Sequence, residues 1–132
     1  MGLGGNLTRA FITINPLADT PSITSATTNE DTQSASGLVI SRNAADSTEV
    51  THFKVTNISG GTLYKNDGTT QITDNTFITF AEANAGLKFT PSANSTSNGS
   101  FNIQASKSNQ DSGLGGSTAT ATVTVNPIAD TP

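Results

Sequence analysis

The chain has no cysteine and no tryptophan, and only one tyrosine, one methionine and one histidine in 132 residues. Without thiols there are neither disulfides nor thiolate metal sites, and a single imidazole does not build the coordination sphere that zinc requires. Charge is scarce too: 12% of residues are charged, six Lys and Arg against ten Asp and Glu, a net charge of −4. The cations are scattered, so there is no basic stripe to displace counterions from phosphates, and nucleic acid is not expected as a partner. No apolar run approaches the roughly 18 residues of a membrane helix, so no membrane contact is expected either. Residues 1–5 carry neither a charged nor an apolar leader region, which places any secretion address elsewhere in a parent protein. Nucleophile patterns such as Gly-x-Ser-x-Gly are missing, and no Ser-His-Asp arrangement around His52 is suggested. A catalytic role is therefore not expected.

What the chain does have is Ser, Thr, Asn and Gly around a lean apolar complement of 33%. Thr favours strands while its hydroxyl faces water, so the composition suits an all-β surface protein. The organising feature is a repeat. Residues 2–21, GLGGNLTRAFITINPLADTP, return as residues 113–132, GLGGSTATATVTVNPIADTP, with 12 of 20 positions identical and an offset of 126 − 15 = 111. Solenoid periods run roughly 20 to 50 residues, whereas one β-sandwich domain takes about 100. The chain thus reads as one module of a tandem array. Residues 1–14 are the last strand of the preceding repeat, 15–21 the inter-module linker, 22–125 the module and 126–132 the outgoing linker.

Period-2 alternation marks the strands. Ala10, Ile12 and Ile14 share one face of residues 8–14, and Ala119, Ala121, Val123 and Val125 one face of residues 118–125. Both segments run into Asn-Pro, where pairing should stop because proline has no N–H to donate. Between them, strands are expected at 22–26, 36–42, 50–58, 62–65, 69–73, 77–80, 87–90 and 100–106, with a polar turn at 27–31. Asn66-Asp67-Gly68 is a hairpin signal. A helical turn is expected only at 82–86. Short strands with turn chemistry between them point to an antiparallel β-sandwich of about seven strands plus an extra hairpin.

The order NPLADTP, TTNEDT, GLKFTPSAN, NGSFNIQAS and GLGGSTATATVTVNPIADTP resembles the cadherin-like tandem repeats of large bacterial surface proteins and adhesins, whose modules end in runs like TVTVNPVNDAP. The resemblance covers the whole module and implies a cadherin-like, immunoglobulin-like sandwich strung in arrays at an extracellular surface, with calcium at the junctions. Carried over by position, it implies metal ligands Asn15, Asp19, Asp46, Glu49 and Asp111 at one pole, and Glu30 beside Asp31, with Asn126 and Asp130, at the other. Calcium takes 6 to 8 oxygens at about 2.3–2.6 Å, so several loops must converge. The sequence departs from the family in the loop 92–99, which holds no acid, and at Ala18 and Ala129, where an Asn is common.

The implied role is a spacer or adhesive module whose partners are the adjacent modules of the same chain. The alternative is a module that binds glycans or other cell-surface proteins, with Tyr64 and Phe11 as outward aromatics. Residues 8–14 and 118–125 are two versions of one strand, and the second is expected to hold the sheet edge through its short native connection. The spare strand is then free to exchange between copies, giving dimers or open chains.

Overall fold

The fold is that of a computed structural model of the chain, described over residues 17–128. The predicted strand at 8–14, with Ala10, Ile12 and Ile14, lies outside the described residues. The protein is all-β with one short helix. Among the described residues ten strands form a five-stranded sheet, a three-stranded sheet and a two-stranded pair.

The long strands are where alternation is cleanest. Strand β4 (His52–Ser59), β9 (Gly99–Ser106) and β10 (Ala119–Asn126) form the centre of the large sheet, flanked by β2 (Ala26–Asn29) beside β10 and β7 (Thr76–Thr79) beside β4. Phe53 and Val55, Phe101, Ile103 and Ala105, and Ala121 and Val123 all point into the core. The small sheet is β5 (Gly61–Tyr64) between β6 (Gln71–Ile72) and β8 (Lys88–Pro91), and its Leu63, Ile72 and Phe89 join the same cluster. The outer end of the Phe89 ring is packed against glycine in both sheets: a Cβ on Gly99 would stand 2.2 Å from its Cζ, and one on Gly61 2.8 Å. That contact fixes both positions as glycine, and truncating Phe89 would remove about 3–5 kcal/mol.

Four expectations are revised. The sheet is not purely antiparallel, because β2 pairs with β10 in parallel register, Ala26 opposite Val123 through Asn29 opposite Asn126. The strand expected at 22–26 is split: β1 (Ser22–Ile23) pairs with β3 (Ile40–Ser41), and the chain then crosses to β10, carrying the strand into the expected turn. The strand expected at 36–42 shrinks to β3 because Gly37 and Leu38 turn through positive φ, 90° and 53°. The backbone there is still satisfied, Leu87 donating its N–H to the Leu38 carbonyl at 3.1 Å. The helical turn begins two residues early, as α1 (Phe80–Asn84), because Thr79 and Glu82 form a capping box at its start. Burial works against the Glu82 charge, but Lys65 at 2.6 Å and the Thr79 N–H outweigh it and hold the carboxyl below its ordinary value.

Candidate functional site

Apart from Asp111, the implied ligands among the described residues fall toward two opposite ends of β10. Ser117, just before the strand, donates its N–H to Thr20 Oγ1 at 3.0 Å. At the far end Asn126 accepts the Glu30 N–H at 2.9 Å. The intervening residues at roughly 3.3 Å each put the two poles about 30 Å apart.

At the entry pole the segment before β1 is built into the body. Ala18 is 1% exposed. It lies against Gly115, where a Cβ would come within 2.5 Å of the Ala18 carbonyl, and a Cβ on Gly116 would come within 2.6 Å of the Asp19 backbone. Only glycine lets the two backbones approach this closely. Asp19 donates its N–H to Asp46 Oδ2 at 3.0 Å, and Asn43 Nδ2 donates to the Thr20 carbonyl at 2.8 Å. Asn43 also shapes the loop that presents Asp46, its Oδ1 accepting the Ala45 N–H and its carbonyl the Asp46 N–H, both at 2.8 Å.

Asp46 is the unusual group. Its Oδ1 is buried without a hydrogen-bond partner. Burial pushes its carboxyl above the ordinary range, the Asp19 N–H pulls the other way, and the nearby Asp19 and Glu49 carboxylates add repulsion. Glu49 is held by the Ser47 hydroxyl and N–H, which lower its carboxyl.

Asp111, expected at this pole, is committed elsewhere. It opens a 3₁₀ turn (Asp111–Gly113) and pairs with Lys54 Nζ at 2.7 Å. Lys54 is thereby covered, 18% exposed and 5.8 Å from the Phe77 ring centroid.

At the exit pole Glu30 and Asn126 do come together. Pro127 has no N–H, so the next donor is that of Ile128, which Glu30 Oε1 accepts at 2.8 Å. Asp31, at φ 60°, accepts the Asn94 N–H at 2.8 Å, and Asn98 Oδ1 accepts the Val125 N–H at 3.1 Å. The acid-free loop 92–99 thus contributes amides to this pole rather than carboxylates. Asn15 and Asp130 lie outside the described residues. The roles of Asn43, Asn98 and the Gly115-Gly116 pair were missed in the sequence, where only the recurrence of GLGG before both end strands marks any of them.

Among the described residues no three acidic or imidazole side chains gather closely enough to hold a metal by themselves. Among the described residues no helix is long and apolar enough to cross a membrane. A shallow cavity of about 260 Å³ lies beside β5 and β6, lined by Ile58, Leu63, Ile72 and Asp74. Ligand sites usually run about 300–1,000 Å³ with aromatic walls, and Tyr64, the candidate for stacking on sugar, is half-buried outside that lining.

Comparison with protein-family models, curated proteins and solved structures finds no match for this chain. What the fold and the poles define is a class: an all-β body with the segment entering it and the segment leaving it each tied to one end.

Proposed function

We propose that the chain is a cadherin-like β-sandwich module, one of a tandem array in a large extracellular or cell-surface protein, and that its job is reach and stiffness. The observation that carries this reading is the recurrence, 111 residues apart, of linker and flanking strand; the described linker residues, 17–20 and 126–128, lie at opposite poles of one body. A shared core between a five-stranded and a three-stranded sheet is what a sandwich requires.

Calcium belongs to this reading as an added stiffener at the entry pole. The partnerless Asp46 Oδ1 is the oxygen best suited to a cation, and Asp19 and Glu49 are its neighbouring carboxylates. Backbone carbonyls and water would complete the shell, so the affinity falls in the weak range of extracellular modules, about 10⁻⁴–10⁻³ M.

Solution scattering of one, two and three copies joined in line tests the spacer role. The longest dimension should grow by about 46 Å per copy, at roughly 3.3 Å for each of the residue steps between Gly115, which seats Ala18, and position 129, where the repeat places the Ala18 of the next copy. A particle that thickens instead of lengthening contradicts it. Calcium is tested separately by melting the chain in EDTA and in about 5 mM calcium, where occupancy raises the midpoint by several degrees. An unchanged midpoint removes calcium from the account and leaves the spacer.

A further inference from the structure

The two ends of this chain show two halves of the same joint. Residues 126–128 are seen leaving a module, and residues 17–20, which occupy the positions of 128–131 in the repeat, are seen entering one. They overlap at a single position, Leu17 in one copy and Ile128 in the other. These two are the exposed large hydrophobic residues among those described, at 69% and 45%. Each stands bare on the side where the neighbouring module would lie. A matching pair of exposed aliphatics at one repeat position points to a surface that the next copy covers.

Laid end to end, the halves leave almost no free chain. The N–H at position 128 is held by Glu30 Oε1 of the module above. One residue later Ala18, the counterpart of position 129, is buried against Gly115, and the following N–H is held by Asp46 Oδ2. Pro127 precedes the joint and Pro21 closes it, restricting φ at both sides.

We propose that each linker of the array is clamped from both sides, by Glu30 of the module above and by Asp46 with the Gly115-Gly116 loop of the module below. Consecutive modules are then held in one orientation by hydrogen bonds and close backbone packing, without a metal ion. The partner surface is a second copy of this module in line, and the aliphatic residue at position 128 is covered between the two. This rests on the tandem-array reading and adds to it that stiffness is intrinsic to the linker.

The test uses two copies in line, residues 1–128 followed by 18–132, with Thr122→Cys in each for spin labelling, which the absence of other cysteines makes site-specific. In EDTA the distance between labels should be single and narrow, between about 45 and 55 Å, an axial step of about 46 Å plus lateral offset. Glu30→Ala in the first copy, with its melt checked, should broaden the distribution about twofold as the linker regains free residues. Glu30→Gln, which keeps an oxygen acceptor, should restore it. Asp46→Ala in the second copy should act like Glu30→Ala, with its melt checked. A broad distribution in EDTA that narrows only with calcium overturns the clamp and leaves the array intact. A short distance from modules lying side by side overturns the clamp and the spacer reading together.

Discussion

The two poles use the same device with unequal force. At each, a carboxylate accepts the backbone N–H of a linker residue, Asp46 that of Asp19 and Glu30 that of Ile128, at 3.0 and 2.8 Å. At the entry pole that bond sits beside a buried alanine and two glycines packed on the linker backbone, and one oxygen of the carboxylate is buried without a partner. At the exit pole it lies at the surface, with an exposed Ile128 beyond it. The entry is a seat and the exit a tether. A hydrogen bond of this kind contributes about 1 kcal/mol wherever it forms, so the difference lies in the packing around it.

Breaking the seat should have the largest effect. Gly115→Val places a side chain 2.5 Å from the Ala18 carbonyl, backbone that cannot simply rotate away. Overpacking of this sort costs about 1–3 kcal/mol. The expected result in a thermal melt is a midpoint several degrees lower, with cleavage by protease appearing at residues 17–21.

The charge at the seat is the next test. Because the Asp46 carboxyl is raised in the folded protein, the native state holds that proton more tightly than the unfolded one. Stability therefore falls as pH climbs from the unfolded value, near 3.9, through the folded value. Asp46→Asn keeps an oxygen for the Asp19 N–H and removes the charge. Without calcium the variant should melt higher than the wild type at pH 7, and the gain should vanish below about pH 4. A constant gain at all pH values would show that charge is not its cause.

Asp67 gives the smallest effect and the opposite sign. The Thr70 hydroxyl and the N–H groups of Thr70 and Thr69 hold its carboxyl down at about 2 in the hairpin turn. Its contribution is full above the unfolded value and is lost as pH falls toward about 2. An NMR titration should find Asp67 among the first carboxyls to lose a proton as pH rises and Asp46 among the last. Coincident midpoints would erase the contrast between a solvated turn and the seat.

Much of this was legible in the sequence, for a definable reason. Alternation encodes which face of a strand is buried, so Ala121, Val123 and Val125 were placed correctly, and the hairpin at 66–68 followed from its turn residues. Alternation does not encode partners. The parallel pairing of β2 with β10, and the reach of Lys54 across 57 positions to Asp111, depend on long-range geometry. Positive φ at Leu38, a residue type that rarely adopts it, is imposed by the fold around it. Of the implied ligands, the structure joins Asp19 to Asp46, with Glu49 in the same loop, and Glu30 to Asn126. Asp111 is separated from them by its own ion pair.

Site-resolved amide hydrogen exchange in EDTA tests the account most directly. The N–H groups of Asp19 and Ile128 should both be protected, that of Asp19 more strongly because it lies in the seat. Asp46→Ala should release only Asp19, and Glu30→Ala only Ile128. Exchange of both at the rate of unstructured chain in the unmodified protein would contradict the claim that each linker end is held by a carboxylate of the body.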